Sequence, residues 1–510
     1  MTSRSALRLR LEEIDTESAA LRARLEELAT ARTDVAAQLE QGAYLCLPEL
    51  PVEIMSQIFL RCAGIIRVAS RDLEGNGAFI LAQVCSRWRA IALGQPELWA
   101  HLDTARFRWL DDEMLKRKLQ LCVERAGKTC NMVVSLSWDK KLPGMAPILS
   151  PTVGRWTQCE ASQVLLRRTL EGSSAPLSSL HTLKIRDECD GTYQDNGRLV
   201  LASTETPWLR RVEILYLRGV WQTVLPWNQI TELSFGDPRE FAGRMDSDGC
   251  MDILEQTPNL EKLYLLMDDR PLSQSRHSLR LEKLRDLTLQ WRSHCNGAAI
   301  RFLEVFDLPR LVAFSTCVHD APEDAEEWEE EGDAIRDMIV RSKCGPIIRS
   351  LTLDIGAGPH IDVVRPVLAS TPMLNELKFT GVSAGYRLES LFRLLASKNL
   401  PSVHFDELYV EMVHATDRIP FEYIAAVLEG TVADVYGRGT TAREPERRPP
   451  RTLRVETPPD VGGYREHRDS AGIKTLERLV TQAQGPQVFI TSAHGTPIIG
   501  SRRVQVLQNT

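Results

Sequence analysis

Residues 47–62 read LPELPVEIMSQIFLRC, and residues 81–99 read LAQVCSRWRAIALGQPELW. Pro51 stands where a first helical turn tolerates proline, because its missing N–H would be unpaired there. Glu53 in that turn suits the positive end of a helix dipole. Ile54 and Ile58 are four apart, and so are Met55 and Phe59, which makes an apolar stripe about two turns long. Gly64 offers a stop for this helix. In the second stretch Leu81, Val84, Cys85 and Trp88 fall at i, i+3, i+4 and i+7, so they share one face of a second helix. Gly94 and Pro96 end it. Two short striped helices in a domain of about 50 residues cannot bury both faces, and some apolar area is expected to stay open for a partner.

Leu-Pro before the first helix and Val-Cys-x-x-Trp in the second make the segment similar to an F-box, the helical module that docks a protein onto the adaptor subunit of an SCF-type cullin–RING ubiquitin ligase. The resemblance implies an adaptor contact at Leu47, Pro48, Leu50, Pro51, Ile54, Ile58 and Phe59, continuing at Val84, Cys85 and Trp88. The F-box domain is expected over 45–101. One departure is the interval 61–78, longer and more polar than the family usually has. It reads as a loop insertion with Gly64, Gly75 and Gly77 as flexible points. An ordinary helical hairpin with Leu and Trp in its core is the plainer reading.

Upstream, Leu7, Leu11, Ile14, Leu21, Leu25, Leu28, Val35 and Leu39 follow an alternating 4, 3 spacing, broken only by Ser18 and Arg32. This heptad pattern predicts a coiled-coil helix over 1–42. Leu11, Ser18, Leu25, Arg32 and Leu39 take position a, and Leu7, Ile14, Leu21, Leu28 and Val35 take d. Self-association through residues 7–39 is one reading. A single amphipathic helix folded back on the chain, or one that orders on binding, is the other.

Downstream, residues 105–430 alternate strand-like and helix-like runs. Thr206-Pro-Trp-Leu-Arg-Arg-Val-Glu-Ile, Thr257-Pro-Asn-Leu-Glu-Lys-Leu-Tyr-Leu and Thr371-Pro-Met-Leu-Asn-Glu-Leu-Lys-Phe share the pattern T-P-x-L-x-x-Φ-x-Φ, with Φ apolar. Looser copies lie at Leu177–Ile185, Ile230–Phe235, Leu281–Leu289 and Ile348–Leu353. Thr-Pro closes a preceding helix. The Φ-x-Φ pair points to one face of a short strand, where stacked units bury it together. This resembles leucine-rich repeats, in a degenerate form: the spacing between copies is irregular and the repeat's Asn position is mostly absent. The fold class expected is α/β overall: a coiled-coil helix, a small all-α F-box, then an irregular repeat solenoid for substrate recognition. A non-repeating α/β domain is the competing reading. Within it, Ala321–Asp337 is mostly acidic and reads as a solvated loop, or as an arm facing a basic substrate.

Residues 437–463, rich in Arg, Pro and Thr, are expected to be a disordered linker; Arg443, Arg447, Arg448 and Arg451 make at most a diluted basic patch. The tail 464–510 holds a helix-like run, Ile473–Ala483, and a strand-like run, Val488–Thr491, expected to pair with the end of the array.

Composition narrows the function. The 510 residues are 43 % hydrophobic and 26 % charged, the profile of a soluble globular chain. A net charge of −7 argues against a general nucleic-acid binder. No run of about 18 apolar residues occurs, so no membrane partner is expected. MTSRSALRLRLEEID lacks the apolar core of a secretory signal. Eleven cysteines never form C-x-x-C, so neither a disulfide framework nor a metal site is expected. Reduced thiols fit a cytoplasmic or nuclear protein. No phosphate cradle, H-E-x-x-H, G-x-S-x-G or dinucleotide fingerprint is present. The chain therefore reads as no enzyme, with no catalytic residues and no cofactor.

The arrangement of coiled coil, F-box and degenerate repeats is most similar to a large group of fungal F-box proteins. That resemblance implies a substrate-recognition subunit whose partners are the adaptor, the cullin–RING ligase and an unidentified protein substrate. A scaffold that binds the adaptor outside any ligase is the alternative.

Overall fold

The computed structural model describes residues 4–46, 50–69, 77–104, 111–136, 144–173, 175–186, 199–215, 223–236, 247–267, 272, 277–292, 296–319, 326–354, 364–383, 391–392, 394–395, 406–414, 427, 452–457, 487–492 and 497–499. The chain divides into two compact units: residues 1–100 with 122–130, and residues 101–121 with 131–510.

The first unit is helical. Helix α1 (Arg4–Cys46) is continuous, α2 spans Val52–Ala69, α3 Gly77–Val84 and α4 Ser86–Leu93. A 3₁₀ turn, Pro96–Leu98, follows. The end of α5 (Asp112–Ala126), from Cys122, belongs here too. Three expectations are corrected. The first helix runs through Gly42 to Cys46, four residues beyond the expected end, because an α-helix tolerates one glycine at about 1 kcal/mol. Gly64 does not stop α2 either: Ile65, Ile66 and Val68 follow it without a break, so the expected loop insertion 61–78 is helix from 61 to 69 and again from Gly77. Gly75 lies outside the described residues. The single helix expected through Trp88 is two, hinged at Cys85, whose extended backbone (φ −156°, ψ 172°) caps α4.

The second unit is built on one 15-stranded sheet. Its early elements are β1 (His101–Asp103), β2 (Met132–Leu136), α6 (Ala146–Leu149), β3 (Trp156–Ala161), α7 (Gln163–Glu171), β4 (Thr182–Arg186), β5 (Leu199–Val200), β6 (Arg211–Leu215), β7 (Thr223–Val224) and β8 (Glu232–Phe235). The middle holds α8 (Ser247–Leu254), β9 (Lys262–Leu266), β10 (Leu279–Arg280), β11 (Asp286–Arg292), α9 (Asn296–Val305), β12 (Phe306–Asp307), β13 (Ala313–His319) and α10 (Glu326–Ser342). The last are β14 (Ser350–Asp354), α11 (Val364–Ser370), β15 (Glu376–Ser383), β16 (Glu407–His414), β17 (Thr452–Thr457), β18 (Gln487–Ser492) and β19 (Pro497–Ile499). Strands β5 with β7 and β10 with β12 form separate small pairs. Every pairing in the large sheet is parallel except the last, β18 with β19.

The register explains why the sequence repeats. Leu102, Val134, Cys159, Leu183, Val212, Leu233, Leu263, Leu287, Phe314, Leu351, Leu377, Leu408 and Leu453 stand side by side across the sheet. None is more than 2 % exposed. Each is therefore worth roughly 1.5–3 kcal/mol of burial, and each coil supplies the cover for its neighbour. This row contains the first Φ of every T-P-x-L copy and of every looser copy.

Two backbone devices accompany it. Thr206, Thr257 and Thr371 are fully buried, and each hydroxyl donates to a carbonyl in the turn before it: Ala202 at 3.0 Å, Leu254 at 2.9 Å and Val367 at 3.1 Å. The threonine hydroxyl thus finds a backbone acceptor at the end of the helix or turn, so it is buried without being left unpaired. At strand starts a single carbonyl takes two N–H donors from the next coil; His181 accepts from Arg210 and Arg211, and Thr231 from Glu261 and Lys262. After β8 the chain turns through Gly236 at φ 93°, where a side chain would run into Leu266.

The sheet is longer than the expected span 105–430. It begins at His101 and continues into the segment expected to be a disordered linker, 437–463, where β17 pairs with β16. Alternation in Thr-Leu-Arg-Val-Glu-Thr places Leu453 in the buried row, and this local period outweighs the Arg- and Pro-rich surroundings. Strand β18 covers Val488–Thr491 and pairs with β17, as expected of the tail. Ile473–Ala483 lies outside the described residues. The acidic run Ala321–Asp337 is no loop from Glu326 onward: it is the first part of α10, held by buried Ala334, Ile335, Met338 and Ile339.

Candidate adaptor-binding site

Helix α2 splits its apolar residues between two directions. Met55 and Phe59, four apart, are buried at 1 % and 0 % exposure, with Ser56 beside them. Val52 and Ile54 are exposed, at 53 % and 49 %, and Ile58 is half-buried. The stripe expected as one face is therefore an inner pair and an outer edge.

The elbow between α3 and α4 is fixed against the start of α2. Cys85 Sγ accepts from the Trp88 backbone N–H at 3.4 Å, and the Trp88 ring lies 4.9 Å from Phe59. Arg87 Nη2 donates to the Leu50 carbonyl at 2.6 Å, and Arg89 Nε donates to Ala82 O at 2.9 Å. Behind this, Trp99 is fully buried, donates from Nε1 to Ala92 O at 2.7 Å and meets Phe79 edge-on at 5.0 Å. The Arg125 guanidinium lies 4.2 Å from the Trp99 ring centre, a cation–π contact. Val84 and Cys85, at the elbow, are exposed.

The sequence-expected residues thus sort by position. Pro51, Ile54, Val84 and Cys85 are exposed; Leu50, Ile58 and Trp88 are half-buried. Phe59 is sealed in the core, one helical turn below Met55, and packs against the Trp88 ring. Leu47 and Pro48 lie outside the described residues. Val52 and Arg87 were missed. Val52 could have been found as the position two before Ile54 at the helix start. Arg87 carries no sequence signal, since its role depends on a carbonyl 37 residues away.

What the arrangement can do is bind apolar surface. Val52, Ile54 and Val84 are large hydrophobic side chains left open on short helices that Arg87 ties together. Among the described residues no cluster of three or more His, Cys, Asp or Glu could hold a metal, and no helix is long and apolar enough to cross a membrane.

The sheet unit differs. Its open face carries a chain of charges: Lys184 pairs with Glu213 at 2.6 Å, Arg211 with Glu213 at 2.8 Å and Glu232 at 3.4 Å, and Lys262 with Glu232 at 3.1 Å. These line a groove of about 610 Å³. Asp286 at its edge has its carboxyl pushed up, mainly by burial, against the opposing pull of Lys262. A separate polar cluster lies inside. Burial drives Glu331 of α10 up to about 8, with the Asp354 carboxyl adding to it. Burial raises the Cys317 thiol to about 12, again with Asp354 beside it.

Comparison with known proteins agrees with the helical geometry. The F-box-like family model matches residues 47–105. The chain therefore carries an F-box-like domain, placed within four residues of the boundaries read from sequence. No curated protein matches the chain. Among solved structures, the TLR13–ssRNA13 complex matches at 11 % identity and a TM-score of 0.30, over 66 % of this chain and 40 % of that one. The chain spans less than half of that protein's length.

Proposed function

We propose that the chain is the substrate-recognition subunit of an SCF-type cullin–RING E3 ubiquitin ligase. One observation carries the reading: the F-box-like helices hold Val52, Ile54 and Val84 in water, around an elbow pinned by Arg87 and Trp88. Exposed apolar side chains on a rigid, internally hydrogen-bonded frame are what a protein partner completes. Leu50, Pro51, Ile54, Ile58, Val84, Cys85 and Trp88 contact the adaptor, while Phe59 and Met55 hold them in place from below. The solenoid supplies the surface that selects a protein for ubiquitination, with its mixed-charge open face as the contact. The chain contributes proximity, and the transfer chemistry belongs to the partner subunits.

The test is co-precipitation of the full chain with the adaptor and with cullin. Recovery of both supports the ligase role. Adaptor without cullin would replace it with a scaffold that holds the adaptor outside a ligase. Failure to recover the adaptor would overturn both.

A further inference from the structure

Helix α1 is 43 residues of unbroken helix, about 64 Å at 1.5 Å per residue. Its described apolar core positions face water: Leu11, Ile14, Leu21, Leu25, Leu28 and Val35 are 53–67 % exposed. A helix of this kind draws its stability from packing an apolar stripe, not from propensity. The polar residues are placed to leave that stripe clear. Thr16, Thr30 and Thr33 each donate to the carbonyl four residues back, and they occupy heptad positions f, f and b, away from the seam. Arg24 and Glu27 pair within the helix.

We propose that α1 covers its stripe with the α1 of a second copy of this chain, as a parallel two-stranded coiled coil. The charges beside the seam choose both the partner and the direction. In a parallel pair Arg10 of one copy faces Asp15 of the other, and Glu17 faces Arg22, at the g and e positions that set pairing. The sequence is thus complementary to itself. An antiparallel pair at full overlap sets Arg22 against Arg22 and Arg24 against Arg24, and joins no opposite charges. Ser18 and Arg32 at position a select two strands over more, because in a two-stranded seam the Arg32 stem packs along the neighbouring layer while its head reaches water. Each assembly then holds two F-box-like domains and two sheets.

Sedimentation equilibrium of the full chain tests this. The parent at tens of micromolar is expected at twice the mass of one chain. Leu21→Lys with Leu25→Lys should sediment as a monomer, its dimer weakened at least a hundredfold. Glu17→Arg alone should weaken the dimer several-fold, and Glu17→Arg with Arg22→Glu should restore it, a rescue that separates charge pairing from loss of fold. Leu11→Cys should cross-link two chains under mild oxidation where the parent does not. A monomeric parent, a dimer that survives Leu21→Lys with Leu25→Lys, or a trimer would each overturn the proposal. A dimer that Leu11→Cys fails to cross-link would overturn its parallel direction.

Discussion

Leu263 in the sheet has Leu233 on one side and Leu287 on the other, and all three are shut from water. Ile54 and Val84 in the helical unit are of similar size and stay about half exposed. Both sets belong to short apolar patterns within their elements, and the difference lies in what the next element offers. A solenoid coil is followed by another coil in register, so the chain brings its own cover. Helix α2 is followed by two eight-residue helices, too little to enclose both of its faces. Regular apolar spacing predicts burial, and the supply of neighbouring elements decides whether the cover is internal or comes from another molecule.

The contrast can be broken at its strongest point. Leu287→Ala removes a fully buried side chain between Leu263 and Phe314 and should cost about 2–5 kcal/mol, read from chemical denaturation of the sheet's own transition. A loss below about 1 kcal/mol would mean that the coils close over the gap and are not rigidly stacked.

Glu331 sharpens the picture of the solenoid interior. Its folded carboxyl is raised to about 8 from an ordinary 4.5, so the folded state keeps a proton that the unfolded chain releases. Stability from this group is complete below pH 4.5, falls as pH rises and is lost by about pH 8. Glu331→Gln should flatten that slope and stabilise the sheet at pH 8 more than at pH 5. An unchanged slope would place the titrating group elsewhere.

The charged row on the open face should matter least. Glu213 bridges Lys184 and Arg211, but Arg211 is half exposed, and such pairs are worth less than about 1 kcal/mol. Glu213→Gln should shift the denaturation midpoint slightly and less so in high salt. A large shift would show that the row holds the strands together as well as lining the groove.

Sequence made the apolar part of this fold legible and hid the polar part. Each T-P-x-L copy announced Leu209, Leu260 or Leu374 in the core because a fixed spacing repeats. Strands β1 to β3 carry the same buried row through Leu102, Val134 and Cys159, but without Thr-Pro before them they passed as ordinary chain. Strand β17 was hidden by composition: arginine and proline around 443–451 outweighed six alternating residues. At the site, periodicity grouped Ile54 and Ile58 with Met55 and Phe59, yet it could not say which pair faces inward, since that depends on where α3 and α4 return. Arg87, Glu331 and Asp354 act through partners far away in sequence, which no local pattern encodes.

The most direct measurement is calorimetric titration of the adaptor subunit into the full chain, comparing the parent with Ile54→Asp and Val84→Asp. Both positions are open, so thermal stability should stay within a few tenths of a kcal/mol. The affinity for the adaptor is expected to fall tenfold or more, the scale of losing an interface anchor. Unchanged affinity in both variants, with the parent binding well, would contradict the claim that this exposed apolar edge is completed by another protein.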